Sequence, residues 1–158
     1  MSFSFNYKKY NQLTELSKEI QKLILQADIQ LGYAYAPYSN FYVGAALLTD
    51  DGKLYTGCNQ ENASYPLCMC AERVALYNIG ATEKSFKIKA LAITAYNPAK
   101  ALPDPCMPCG ACRQVLQEFE QRQGSPIPLY LTAKESYIIE LPGISELLPA
   151  SFSKDHLL

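Results

Sequence analysis

No run of basic residues occurs anywhere in this chain. Lys and Arg together number 14 against 15 Asp and Glu, for a formal net charge of -1 over 158 residues. Proteins built to hold a polynucleotide need a positive stripe, because phosphate contacts supply most non-specific affinity. The balance therefore points away from nucleic acid and toward a small substrate. Long apolar runs are missing too. None approaches the roughly 18 residues that cross a bilayer, so no membrane partner is expected. Residues 1–12 contain no apolar core of the kind a signal peptide carries, and a cytoplasmic location is expected. Histidine occurs once, at His156 near the C-terminal end, and no catalysis is expected from it. Low-complexity tracts, internal repeats and linker-like stretches are absent, so residues 1–158 read as one domain. With 49% hydrophobic and 18% charged residues, that domain can bury a core without disulfide staples.

What the chain does contain is an ordered alternation of helix and strand signals. Leu13, Leu16, Ile20, Leu23, Ile24, Ala27 and Leu31 recur at steps of three and four, giving a one-sided helix that ends near Gly32. Phe41 to Leu48 reads as a strand, Asp50-Asp51-Gly52 as a tight turn, and Leu54 to Cys58 as the returning strand. A second helix is expected from Cys70 to Ile79, closed by Gly80 in a left-handed conformation. Ile88 to Ala95 has the composition of a central strand. Pro98, Pro103, Pro105 and Pro108 make residues 97–108 a loop. A third helix starts near Gly110, with Cys112, Val115, Leu116 and Phe119 on one face. Leu129 to Thr132 and Tyr137 to Leu141 are too closely spaced for a crossover and read as an antiparallel hairpin, followed by a helical turn over 145–148. The pattern predicts an α/β domain of three α/β/α layers around a five-stranded mixed sheet.

Six cysteines in a reducing compartment are thiols, and their clustering calls for metal, redox chemistry or packing. Two segments stand out, Cys68-Met69-Cys70-Ala71-Glu72-Arg73 and Pro105-Cys106-Met107-Pro108-Cys109-Gly110-Ala111-Cys112-Arg113. The second contains two overlapping C-x-x-C pairs. Cys109 and Cys112 are the better ligands, because a helix starting at Gly110 sets them on one face of its first turn. Pro108 suits the entry to that helix, and the N–H groups of its first turn favour thiolates. Cys70 adds a third sulfur. Three protein ligands with one open position describe catalytic zinc, whereas structural zinc takes four. Glu72 begins the second helix, where its carboxylate can reach the same point and serve as general acid/base for a metal-activated water. Three thiolates on a dication leave a charge of -1, which weakens the metal as a Lewis acid. Arg73 and Arg113, each directly following a motif core, are placed to withdraw that charge.

These motifs resemble those of the small zinc-dependent cytidine deaminases. The likeness runs from about Ala34 to the C-terminus. It is carried by Ala36-Pro37-Tyr38-Ser39-Asn40-Phe41, Val43-Gly44-Ala45-Ala46-Leu47, Gly57-Cys58-Asn59-Gln60-Glu61-Asn62-Ala63-Ser64-Tyr65, Cys68-Met69-Cys70-Ala71-Glu72-Arg73, Pro108-Cys109-Gly110-Ala111-Cys112-Arg113-Gln114, and Leu147-Leu148-Pro149-Ala150-Ser151-Phe152. The resemblance implies zinc on Cys70, Cys109 and Cys112, with Glu72 shuttling a proton as activated water attacks ring carbon 4 of cytidine or deoxycytidine. It further implies that Phe41, Asn59 and Glu61 line a nucleoside pocket, that the Ala71 backbone contacts the base, and that the role is pyrimidine salvage. Tyr65 and Phe152 match positions that reach across subunits, which implies a homotetramer with composite sites. Two segments depart from the pattern: the N-terminal helix and extension (residues 1–32) and the proline-rich loop (97–108) containing Cys106.

Other readings remain at this stage. Cys109 and Cys112 could form a redox pair, and Cys68 or Cys106 could complete a structural four-cysteine zinc site. Otherwise Cys58, Cys68 and Cys106 read as packing residues. A related deaminase acting on nucleotides or another aminated heterocycle shares the metal motif.

Overall fold

The computed structural model describes residues 5–157. Residues 1–4 of the expected N-terminal extension and residue 158 lie outside the described residues. The central feature is a mixed sheet. Strand β2 (Tyr42–Thr49) pairs antiparallel with β3 (Leu54–Cys58) on one side and with β4 (Ile88–Tyr96) on the other. Strand β4 runs parallel to β5 (Leu129–Leu131), and β5 forms the expected antiparallel hairpin with β6 (Ile138–Leu141). Gly52, at φ 83°, makes the tight turn between β2 and β3, a conformation that costs glycine nothing.

Among the described residues the sheet holds six strands, not five. Residues Lys8–Tyr10 form a short strand β1 along the outer edge of β6, giving the order β1-β6-β5-β4-β2-β3. Three polar residues carry no strand periodicity that a sequence can show. The pairing is made by the free edge of β6 and by side chains across it: Glu140 accepts from Tyr10 Oη at 2.6 Å and from Lys8 Nζ at 3.1 Å.

One helix covers one face and two cover the other. Helix α1 (Lys18–Gln30) turns Ile20, Leu23, Ile24 and Ala27 onto Ala46, Leu48, Ala90 and Ala92. Helices α2 (Ala71–Thr82) and α3 (Gly110–Gln123) pack Ala75, Leu76, Ile79, Leu116 and Phe119 on Ala45, Leu47, Leu91 and Ile93. Alternate residues of each strand thus serve opposite layers, as the two-residue strand period requires. Two glycines set how closely the helices approach. A Cβ at Gly44 would collide with the Ala27 carbonyl oxygen of α1, and one at Gly57 would stand 2.5 Å from the Ala75 nitrogen of α2.

Two helix boundaries differ from expectation. Leu13–Glu15 is a separate 3-10 turn, and α1 begins only after Ser17, whose hydroxyl accepts from Ile20 N; an N-cap serine outranks apolar periodicity there. Helix α2 continues through Gly80 to Thr82. Gly80 makes no left-handed turn and sits close against α3, where a Cβ would lie 3.3 Å from the Phe119 ring. The left-handed cap belongs to α3, at Gly124 with φ 71°. The tail makes its expected helical turn at Ile144–Glu146.

Candidate metal centre and adjoining pocket

The N-termini of α2 and α3 meet on the same side of the sheet and bring three sulfurs together. Cys70 is the N-cap of α2, Cys109 the N-cap of α3, and Cys112 lies in the first turn of α3. Cys70 and Cys109 Sγ are 3.9 Å apart, Cys109 and Cys112 Sγ 3.4 Å, and all three lie within 4.8 Å of one another. Thiolates about 2.3 Å from a tetrahedral zinc stand roughly 3.8 Å apart, so the cluster has the dimensions of a three-cysteine zinc site. Cys112 is buried, Cys70 half-buried and Cys109 exposed.

Cys58, Cys68 and Cys106 lie apart from this set. Cys68 Sγ accepts from Asn62 N at 3.2 Å and so braces the loop before α2. Cys58 Sγ contacts the Tyr33 carbonyl at 3.3 Å. Cys106 lines the adjoining pocket, and burial is the first cause pushing its thiol up to about 11.

The electrostatics favour charge on the cluster's Cys70 corner. Hydrogen bonding from Cys112, then from Arg73 and Cys109, draws the Cys70 thiol down to about 5. Cys112 moves up, because it donates to Cys70 and because it is buried. Arg73 Nη2 stands 3.8 Å from Cys70 Sγ and donates to the Cys68 carbonyl at 3.5 Å. Arg113, expected to withdraw charge from the sulfurs, places two of its donors on backbone carbonyls. Its Nε donates to the Pro108 carbonyl at 2.8 Å and its Nη1 to the Leu147 carbonyl at 2.9 Å. It therefore ties the entry of α3 to the C-terminal segment.

Glu72, in the first turn of α2, is 5% exposed. The helix N-terminus favours its ionised form, but burial prevails and pushes the carboxyl up to about 7, with the neighbouring Cys70 charge acting in the same direction. An acidic group that titrates near neutrality beside a metal-ligand cluster is suited to proton transfer.

A cavity of about 270 Å³ opens against Glu72, Cys70 and Cys109. Phe41, Asn59 and Glu61 line it, together with Ser39, Val43, Gln60, Cys68, Met69, Cys106 and Met107. The Asn59 side chain imitates a strand: Oδ1 accepts from Val43 N and Nδ2 donates to the Phe41 carbonyl, both at 2.8 Å. That leaves one amide hydrogen for a ligand. Glu61 is held by the loop before β2, accepting from Tyr38 N at 2.9 Å, from Ser39 N at 3.3 Å and from the Ser39 hydroxyl. These donors, the Ser39 hydroxyl first, keep its carboxylate below its ordinary range. Asn40 turns this loop at φ 53°, a left-handed position asparagine tolerates better than most residues. Ala71 is fully buried at the α2 N-terminus. Tyr65 and Phe152 are 67% and 55% exposed and do not line the cavity. Phe152 is instead tied back through its carbonyl, which accepts from Gln114 Nε2 at 3.0 Å.

Sequence reasoning passed over Ser39, Met107 and the cavity position of Cys106. Ser39 was visible inside a matched block. The other two were hidden because loop residues carry no periodicity that reports which way they face.

Comparison with known proteins agrees with this geometry. The model of the cytidine and deoxycytidylate deaminase zinc-binding region matches residues 17–124. The chain is 44% identical to the cytidine deaminase of Sporosarcina psychrophila over 140 residues, which is 88% of this chain and 95% of that protein. It is 41% identical to the cytidine deaminase of Halalkalibacterium halodurans over 137 residues, 87% and 96% of the two chains. Among solved structures, the cytidine deaminase from Burkholderia pseudomallei superposes with a TM-score of 0.72 at 40% identity, covering 87% of this chain and all of that one. The cytidine deaminase from Mycobacterium tuberculosis superposes at 0.65 with 35% identity, covering 87% and 99%.

Proposed function

The chain belongs to the cytidine and deoxycytidylate deaminase zinc-binding family, and from that premise we propose that it hydrolyses free cytidine and 2'-deoxycytidine to the uridine nucleosides and ammonia. The observation that carries this reading is the three-sulfur cluster beside a buried glutamate at the wall of a nucleoside-sized cavity. Cys70, Cys109 and Cys112 would hold zinc. Bound there, zinc supplies the Lewis acidity that makes water a nucleophile at neutral pH.

Glu72 takes the proton of the attacking water and delivers it to ring nitrogen 3 as ring carbon 4 is attacked. Glu72 then assists the departing ammonia. Burial favours this exchange, since a carboxyl titrating near neutrality gives up and regains a proton at little cost. Glu61 accepts from ribose hydroxyls with the lone pairs left over from the Ser39 loop, and Asn59 donates its remaining amide hydrogen. Phe41 packs against the base, and the Ala71 backbone meets its polar edge. Arg73 offsets the charge of Cys70, while Arg113 holds the entry of α3. The exposure of Tyr65 and Phe152 suits side chains that complete a neighbouring subunit's pocket, as in a homotetramer with composite sites. A single-domain cytoplasmic enzyme of pyrimidine salvage fits this reading.

The test is to incubate purified protein with aminated nucleosides, nucleotides and free bases and to measure ammonia release alongside zinc content. Release from cytidine and deoxycytidine, with one zinc per chain, is expected. Turnover confined to nucleotides, or a metal-free dithiol, would overturn the reading.

A further inference from the structure

The two segments outside the family-like blocks, the N-terminal extension and the proline-rich loop, are joined in the fold through one tyrosine. Strand β1 places Lys9 opposite Ile139 of β6, and Lys9 Nζ stands 3.9 Å from the centroid of the Tyr137 ring. At the far end of that ring, Tyr137 Oη donates to Asp104 Oδ1 at 3.0 Å. Asp104 lies in the proline-rich loop, just before Cys106 and Met107 in the cavity wall.

The loop has few other ties. Asn97 closes a turn at its start, its side chain accepting from Ala99 N at 2.9 Å. Arg113 holds its end at Pro108. Pro98, Pro103, Pro105 and Pro108 have no backbone N–H to give, and Cys106 N reaches the Thr132 carbonyl only at 3.4 Å. Among the described residues, the Tyr137–Asp104 bond is the side-chain hydrogen bond recorded for the stretch 101–105. Tyr137 and Met107 both pack on the main hydrophobic core. A cation over the ring withdraws electron density and strengthens the phenol as a donor, and the acceptor is a carboxylate. The arrangement is therefore polarised in one direction, from Lys9 through the ring to Asp104.

We propose that Tyr137, braced by Lys9, is a positioning residue that sets the cavity wall at Cys106 and Met107 by holding Asp104. Through it, the N-terminal strand tunes substrate affinity without touching substrate. The affinity part rests on the deamination reading above; the positioning part does not.

The experiment pairs amide hydrogen exchange of the free protein with steady-state kinetics on cytidine. Tyr137→Phe keeps the ring under Lys9 and its core contacts but removes the bond to Asp104. Exchange across 99–107 should quicken, and KM should rise, each by roughly three- to tenfold, the range one such hydrogen bond supports. The kcat should stay within about twofold, since no transition-state contact is lost. Asp104→Ala should reproduce this, Asp104→Asn should keep an acceptor without its charge and fall between the parent and Asp104→Ala, and Lys9→Met should shift both readouts the same way by less. The double variant Y137F/D104A should be no worse than either alone. Unchanged exchange across 99–107 in Y137F, additive losses in the double variant, or a fall in kcat with KM unchanged would overturn the proposal. Exchange needs no turnover, so failure of the deamination reading would leave that half of the test standing.

Discussion

Glu72 and Glu120 lie in the same helical layer, one at the start of α2 and the other near the end of α3. Burial is the first cause raising both carboxyls. Their partners separate them. Glu120 Oε1 accepts from Ile127 N at 2.8 Å and from Ile144 N at 2.9 Å, knotting two loops where α3 ends. Glu72 faces the cavity beside Cys70 and Cys109. The contrast shows that a raised carboxyl does not by itself mark chemistry. Backbone donors converging on one oxygen make a strut, whereas a carboxyl against a sulfur cluster and an open cavity is placed where a proton carrier is needed.

Four outcomes would break or sharpen that contrast, and removing a sulfur should have the largest effect. Cys109→Ser should abolish ammonia release together with bound zinc, measured by metal analysis on the purified protein; full activity with stoichiometric zinc would remove Cys109 from the site. Glu72→Gln follows, with zinc retained and turnover reduced about 10²- to 10⁴-fold, the span of general acid–base catalysis. Parental turnover after that substitution would put the two glutamates in one class. Glu120→Ala should instead cost about 1–3 kcal/mol in urea denaturation, because it strands buried backbone donors, while turnover per folded molecule stays at the parental level. A loss of turnover without a loss of stability would reverse the assignment.

The smallest effect concerns pH. Burial raises the Glu120 carboxyl, so the folded state holds that proton more tightly than the unfolded chain. Its stabilising contribution is fully present below the ordinary carboxyl range and is lost as pH rises through the raised value. Glu120→Gln should remove this decline from a stability-against-pH series. A parental slope in the variant would mean that another group carries it.

Much of this was legible beforehand. Cys109 and Cys112 share a face because three residues make nearly one helical turn, and β2, β4 and the β5–β6 hairpin follow from apolar runs bounded by turns. The failures were equally physical. Gly80 looked like a helix stop because glycine often is one, yet here it lies within α2, close against the Phe119 ring. Strand β1 carried no pattern, since its pairing resides in Glu140 and the edge of β6. Nor did the sequence show that Arg113 places two of its five N–H donors on the Pro108 and Leu147 carbonyls.

By itself the sequence determined what depends on neighbours along the chain: the helix faces, the spacing of Cys109 and Cys112, and the family blocks. Only the tertiary structure decided that Cys70 joins those two sulfurs while Cys68 and Cys106 stay out, that Glu72 is buried against them, and that the N-terminal strand reaches the cavity wall through Tyr137. Those distances depend on the order of strands in the sheet, which sets the N-termini of α2 and α3 side by side. Periodicity reports which face a residue occupies but not which distant element lies opposite it.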